Sequence, residues 1–309
     1  MALKICYSDF VSNSFFPAIA AVELGFFEEE DIDAEHELIF PAPKAAEALR
    51  EGDVDMIAGS AHSMLWAFPR WRGVRLLCSL SQGIFFFLVM RADAPVTADN
   101  LAGLKGMRIR SAPDVDRLLK ATLRAAGIDP DKEGIEIGPP KKPVPKGTSF
   151  GVASAQALIN GEIDGFWANA MATELAVREG IGKVVLDIRR GIGPQAAFNF
   201  TQPTLATHAG LVEEQPEICA AAVRAMSATL EALKEDPSLA AKVGEKLFPP
   251  KEAALIAGLI ERDLPFYSTR ITEEFVAGLD GYTREVGLLD GDPVPYDNIV
   301  ATEFSEYWT

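Results

Sequence analysis

Positive charge is scarce in this chain. Against 45 Asp and Glu stand 29 Lys and Arg, a formal net charge of −16, with a pI near 4.7. That deficit argues against a nucleic-acid surface or a polybasic membrane patch, since both need clustered Lys and Arg to neutralise phosphates. Long apolar runs are also missing. The longest candidate, "GIFFFLVM" at 83–90, falls well short of the ~18 residues that span a bilayer and reads as a buried strand. Cysteine is sparse: Cys6, Cys78 and Cys219 are an odd number, each in an apolar setting, without CxxC spacing. A disulfide framework or a zinc or redox site does not fit this pattern, and all three are expected to be plain buried thiols.

Catalytic signatures are absent as well. There is no HExxH, no GxSxG, no Walker A loop and no GxGxxG in a strand–turn–helix context, so no metal and no cofactor is expected. With no N-terminal helix-turn-helix and no basic charge, the effector domain of a transcription regulator does not fit either. No secretory signal precedes the first strand; only Lys4 lies before or within it. Two localisations follow: cytoplasmic if Met1 is native, periplasmic if a leader has been removed.

What is present is ordinary globular material. Apolar residues make up 48% and charged residues 24% of 309, enough for two domains rather than one. The order begins strand ("LKICYS"), loop, helix ("FFPAIAAVELGFF"), strand ("AEHELIF"), helix ("PKAAEALREG"), strand ("VDMIA"), helix ("SMLWAFPRWRG"), strand ("VRLLCSL"). This alternation predicts a parallel sheet with helices on its faces. After the apolar strand "GIFFFLVMRADAP" it restarts with "GMRIRSA", the helix "DVDRLLKATLRAAG", "GIEIG", the loop "PPKKPVPKG", a helix over 149–160, "IDGFWAN", a helix to Gly180 and "KVVLDIR". A second apolar segment, "AAFNFTQPTLATH", leads to helices near 215–235, 237–247, 251–263 and 271–287. The expected division is residues 1–88 with 200–309 as one lobe and 89–199 as an inserted second lobe. Ligands in open α/β sheets sit at strand carboxyl ends, so two such lobes facing each other predict a cleft.

One phrase is written twice, 109 residues apart: "ALREGDVDMIAGS" from Ala48 and "ALINGEIDGFWAN" from Ala157. Each copy supplies a helix end, a glycine (Gly52, Gly161) suited to the left-handed C′ position, an acid pair and a strand. Asp55 and Asp164 stand at strand starts, where turn or capping hydrogen bonds are expected of them. The residues that follow each strand are the functional candidates.

"AVELGFFEEEDID" with "EALREGDVDMIAGS", and "NLAGLKGMRI" with "ALINGEIDGFWAN", resemble the solute-binding proteins of ABC importers in the aliphatic-sulfonate, nitrate and taurine group, which includes fungal thiamine-pyrimidine synthase relatives. The resemblance runs from about Leu3 to about Asp236 and implies an α/β, type II periplasmic-binding-protein fold: two α/β lobes joined by a two-segment hinge, with a helical C-terminal tail. The cysteine-rich iron motif of the fungal synthases is missing, so that activity is not implied.

Candidate ligand contacts come from strand ends and hinge. In "SDFVSNSFF", Ser12, Asn13 and Ser14 suit the N-cap of a helix starting near Phe15, an anion-attracting position; Asp9 either meets a ligand amine or shapes the loop. In "GSAHSM", His62 is either a ligand contact or a hydrogen-bonding core residue, and Ser60 and Ser63 double as caps for the following helix. In the second lobe, Ser111 stands before Pro113 at a helix start, and Arg110 offers its charge, faces solvent or pairs with Asp114. Thr148 and Ser149 begin a helix. Trp167 either stacks on a flat ligand or packs in the core, and Asn169 stands beside it. The hinge adds Gln82, Phe85, Phe86, Asn199 and Thr201, although only alternate residues of a strand share a face.

Aromatic candidates with few charges imply a planar organic ligand, with one carboxylate or sulfonate, over a bare inorganic anion, which favours backbone N–H and Arg donors. The function expected is a solute-binding protein that closes on this ligand and, if exported, delivers it to an ABC permease. The alternative is a cytoplasmic enzyme of decarboxylase or pyrimidine-synthase type on the same scaffold.

Overall fold

The computed structural model describes residues 2–139 and 149–309; the basic loop expected over 139–147 lies, but for its first residue, outside them. In chain order the strands are β1 Leu3–Tyr7, β2 Ala34–Leu38, β3 Met56–Ser60, β4 Val74–Ser79, β5 Phe87–Arg91, β6 Arg108–Ser111, β7 Glu136–Gly138, β8 Gly165–Ala168, β9 Gly182–Leu186 and β10 Pro203–His208. The helices are α1 Phe16–Glu23, α2 Ala42–Glu51, α3 Val115–Ala125, α4 Phe150–Ile159, α5 Ala170–Arg178, α6 Ala209–Glu214, α7 Pro216–Glu235, α8 Leu239–Leu247, α9 Pro250–Asp263, α10 Glu273–Glu285 and α11 Tyr296–Ile299.

Two compact units result: unit 1 is Met1–Gly83 with Thr201–Thr309, unit 2 is Ile84–Phe200. The crossing therefore falls before β5, and residues 84–88 and Phe200, assigned to the first lobe from sequence, belong to unit 2. The reason is pairing: β5 lies antiparallel between β8 and β9.

Among the described residues each unit is built on a five-stranded sheet, ordered β2-β1-β3-β10-β4 in unit 1 and β7-β6-β8-β5-β9 in unit 2. The two orders correspond strand for strand. In each, the antiparallel member is the first strand reached after the chain crosses, β10 in one and β5 in the other. Inner strands β3 and β8 are buried along their whole length, as a sheet covered on both faces requires, whereas the edge strand β2 is half-exposed.

The twin phrase has twin geometry. α2 ends at Gly52 with φ +77°, and Gly161 after α4 has φ +72°, the left-handed turn that glycine adopts without steric cost. Lys4 N–H donates to Asp55 Oδ2 at 2.7 Å, and Arg108 N–H donates to Asp164 Oδ2 at 2.9 Å. Each aspartate also joins its neighbouring strand through its own backbone N–H, to the carbonyls of Lys4 and Arg108. Both therefore pin a helix–turn–strand unit to the adjacent strand.

Two local expectations are corrected. The α-helix expected over 63–73 is instead two short 3-10 segments, Ala61–Trp66 and Pro69–Trp71, separated at Ala67 and Phe68, with Arg70 inside the second at φ +57°. The Ser111–Pro113 segment does not open α3; that helix starts at Val115, after Asp114 at φ +84°, a conformation uncommon for a non-glycine residue.

Candidate functional site

In unit 1, β10 runs antiparallel to β3 and β4, so the carboxyl ends of β1, β3 and β4 and the amino end of β10 share one sheet edge. The loop after β1 carries Asp9, Ser12, Asn13 and Ser14. Val11 N–H donates to Asp9 Oδ1 at 3.1 Å, a bond that shapes this loop. Ser12, Asn13 and Ser14 are all buried. They do not cap α1: its N-cap is Phe15, with no side-chain cap bond, because the helix begins one residue past the expected start with Pro17 in its first turn.

Asn13 Nδ2 instead donates to the carboxylate of Asp263, and Tyr267 Oη donates to the Asn13 carbonyl at 3.2 Å. The loop is thus held by the end of α9 and the segment after it. Ser12 Oγ, Ser14 Oγ and Asn13 Oδ1 have no hydrogen-bond partner among the described residues.

At the end of β3, Ser60 and Ser63 are buried, and Ser60 makes no side-chain cap bond to the 3-10 turn that follows. His62 is fully buried; its Nδ1 lies 2.9 Å from Thr201 Oγ1, and its ring meets Tyr282 edge-on at 5.5 Å. Both contacts fix the orientation of the imidazole. Gln82 Nε2 donates to the Arg270 carbonyl at 2.8 Å, which ties the side chain to its own unit. Gln202, which the sequence did not single out, is fully buried beside Thr201. Its carbonyl accepts Ala61 N–H at 3.0 Å, while neither its Nε2 nor its Oε1 has a partner among the described residues.

In unit 2 the corresponding edge carries the ends of β6, β8 and β9 and the start of β5. Phe85, Phe86 and Trp167 form a stack: ring centroids of Phe85 and Phe86 are 4.3 Å apart at 30°, and those of Phe86 and Trp167 are 5.7 Å apart at 21°. Trp167 is fully buried, with one face on Phe86, and its Nε1 has no partner among the described residues. Asn169 is the N-cap of α5, its Oδ1 accepting Ala172 N–H at 3.3 Å. Ser111, paired in register with Trp167, is buried.

Arg110 does not simply face solvent: half-buried, it donates to the Ala153 carbonyl at 3.3 Å and lies over the Phe150 ring at 5.3 Å, while its Nε has no partner among the described residues. Burial lowers its pKa from the ordinary arginine value. Asn199 is half-buried in the segment leaving unit 2. Ser149 immediately precedes α4, and Thr148 lies outside the described residues. A separate hollow of about 830 Å³, lined by 98–102, 125–126, 128 and 191–194, contains none of the sequence-selected residues.

Titratable chemistry centres on unit 1. Burial pushes the Cys6 and Cys219 thiols up to about 12 and Cys78 up as well, so all three remain protonated at neutral pH. His36 Nε2 lies 2.9 Å from Glu23 Oε1, and Lys246 Nζ is 2.5 Å from Glu23 Oε2. Burial, outweighing Glu23, holds the His36 pKa below its ordinary value. Burial also pulls the Glu23 carboxyl upward, but the hydrogen bonds and charges of Lys246 and His36 leave it below the usual glutamate value.

Gln202, Asp263, Tyr267 and Tyr282 escaped sequence reasoning. Gln202 left only a weak signal, an uncharged polar residue opening an apolar strand. The other three lie some 200 residues or more from the loops they touch, and nothing local marks them.

The sequence profile described as NMT1/THI5 like matches residues 12–240. None of the curated proteins compared matches by sequence. Among solved structures, the alkanesulfonate-binding protein SsuA from Xanthomonas axonopodis pv. citri, bound to MOPS, superposes with a TM-score of 0.71 at 14% identity, over 96% of this chain and 97% of that one. The periplasmic nitrate-binding protein NrtA from Synechocystis PCC 6803 gives 0.70 at 14%, over 99% and 87%. The desulfurization enzyme DSZB gives 0.64 at 16%, over 98% of each chain. At these identities the likeness is one of fold: two α/β lobes with C-terminal helices, as in periplasmic binding proteins.

Proposed function

The chain belongs to the NMT1/THI5-like family, and from that premise we propose that it is a solute-binding protein for a small, planar organic molecule, closing by hinge motion when that molecule binds. The observation that carries this reading is a set of buried polar atoms at the carboxyl edges of both sheets. Ser12 Oγ, Ser14 Oγ, Asn13 Oδ1 and the Gln202 amide in unit 1, and Trp167 Nε1 in unit 2, have no partner among the described residues. Buried polar groups are nearly always hydrogen-bonded, and leaving one unmade costs about 1–3 kcal/mol. A ligand that bonds such atoms within either unit recovers that free energy in the liganded state, and so favours whichever conformation it binds. If the protein is exported, its partner is an ABC permease.

The alternative, an enzyme on this scaffold, takes support from the fold shared with a desulfurization enzyme. Thiolate chemistry is the form of it that fits least, because every cysteine is buried with its pKa raised.

A thermal-shift screen of aromatic carboxylates, sulfonates, carboxamides and pyrimidines tests the proposal. A ligand at 100 times its Kd adds about 2.7 kcal/mol of stability. The hit is expected to lose its shift in the Ser12→Ala/Ser14→Ala variant and to reduce the radius of gyration of the wild type in solution scattering. If nitrate or sulfate raises Tm while no organic solute does, the planar-ligand reading is wrong.

A further inference from the structure

We propose that Gln202 and Asn13, with Asp263 behind Asn13, form a subsite in unit 1 that takes an uncharged amide-type edge, N–H beside C=O, and rejects carboxylates and sulfonates. This rests on the binding reading above and specifies its chemistry.

The inference starts from Asn13. A side-chain amide has one acceptor and one donor end. Asn13 is fully buried against Asp263, itself 1% exposed, and it is the Nδ2 end that donates to the carboxylate. The reverse orientation would set the amide oxygen against a carboxylate oxygen, acceptor on acceptor, so Asp263 fixes the rotamer. Asn13 Oδ1 is left as an acceptor without a partner among the described residues. It seeks a donor.

Gln202 offers the complement. It is fully buried with both amide atoms unpartnered, and its backbone is anchored to Ala61. It therefore offers a donor and an acceptor together, the pattern that a planar amide, urea or lactam edge reciprocates. The Ser12 and Ser14 hydroxyls serve as either.

Charge decides between an amide and an acid. The loops at this edge, 8–15, 60–63, 79–83 and 201–202, contain no Lys or Arg but do contain Asp9. With the buried Asp263 one hydrogen bond behind the subsite, an incoming carboxylate or sulfonate meets like charge in a low-dielectric setting, and these loops hold no cation to pair with it. An amide carries no such penalty. The recognition differs from that named for the sulfonate- and nitrate-binding structures of like fold.

The test uses the full chain and three probes that share one ring: benzamide, benzoate and benzenesulfonate. In the wild type, benzamide is expected to raise Tm and to bind at least tenfold more tightly than either acid. Gln202→Leu should abolish the benzamide shift. It should also raise the ligand-free Tm, by roughly 2–4 °C, because an apolar side chain of similar volume relieves the buried amide's desolvation. An unchanged or lower ligand-free Tm for this variant means that Gln202 is satisfied within the protein, and overturns the inference.

Asp263→Asn separates positioning from scaffolding: it should narrow the benzamide-over-benzoate preference tenfold or more. If it alters stability but leaves that ratio intact, Asp263 has no part in selection. If no solute of the wider screen raises Tm, the binding reading itself falls. If benzoate or benzenesulfonate outbinds benzamide, or other solutes bind and benzamide does not, that reading stands and the amide subsite falls.

Discussion

The two units share a sheet order and a helix–turn–strand phrase, yet they dispose of their polar groups differently. In unit 2 Asn169 caps α5 and Arg110 is held by the Ala153 carbonyl and the Phe150 ring, which leaves Arg110 Nε and Trp167 Nε1 as the candidate atoms without a partner among the described residues. Its distinctive feature is the Phe85–Phe86–Trp167 stack. In unit 1 the equivalent edge keeps Ser12, Ser14, Asn13 Oδ1 and Gln202 buried and unpartnered. The same scaffold thus carries a buried aromatic stack in one unit and a cluster of buried hydroxyl and amide groups in the other. The contrast lies in the loops, since the aspartates that pin the scaffold make the same backbone bonds in both units.

The comparison breaks most sharply at the residue after each aspartate, Met56 in unit 1 and Gly165 in unit 2. A Cβ on Gly165 meets the Val89 carbonyl oxygen at 2.6 Å and collides with the Met90 sulfur. Gly165→Ala is therefore expected to cost about 2–3 kcal/mol through overpacking against backbone, measured by denaturant unfolding. Met56→Ala creates a cavity in unit 1 instead, with a comparable loss of about 2–5 kcal/mol. The two positions fail for opposite reasons, and only Met56→Ala should be rescued by enlarging a neighbour.

A smaller effect tests the shared pin. Asp55→Ala leaves the Lys4 N–H without its side-chain acceptor and should cost about 1–2 kcal/mol. Asp164→Ala should cost less, because the Arg108 N–H it serves is open to solvent, which replaces the lost bond. Equal losses in chemical denaturation would show that burial does not separate the two copies.

Acid should weaken unit 1 selectively. The folded His36 pKa lies below its ordinary 6.5, so the unfolded chain takes up that proton first, and stability falls as pH drops below about 6.5. Glu23, depressed below 4.5 in the folded state, adds a second loss in the same direction at lower pH. The Tm of His36→Gln should be flat through the upper part of this window, while the wild type declines.

The smallest signal is kinetic. Every cysteine lies in unit 1, buried and with its pKa raised. Labelling by a thiol reagent should be slow in the native protein and should track the opening of unit 1 when denaturant is added. A fast-reacting thiol under native conditions would contradict the burial.

Much of the scaffold was legible in the sequence, because it is written in local terms. Short apolar runs alternating with helical segments marked β1, β4 and β6, and the Gly52 and Gly161 signals marked helix ends, since a left-handed turn is adopted there at low cost. Local signals misled where context took over. The 63–73 segment has helical composition but forms 3-10 turns, the second of them with Arg70 in a non-helical conformation, and Ser12–Ser14 have capping chemistry but make no cap bond to α1, Asn13 bonding Asp263 instead.

By itself, then, the sequence determined the alternation of elements, the doubled helix–turn–strand unit and the acidic, cysteine-poor character that narrows the class of partner. These follow from side-chain period, turn chemistry and charge, which are properties of neighbours in the chain. Only the tertiary structure decided which polar atoms remain without partners. Asn13 acquires its orientation from Asp263, 250 residues away, and Gln202 becomes conspicuous only when its burial is known. Hydrogen-bond satisfaction is a sum over spatial neighbours, and no spacing along the chain encodes it.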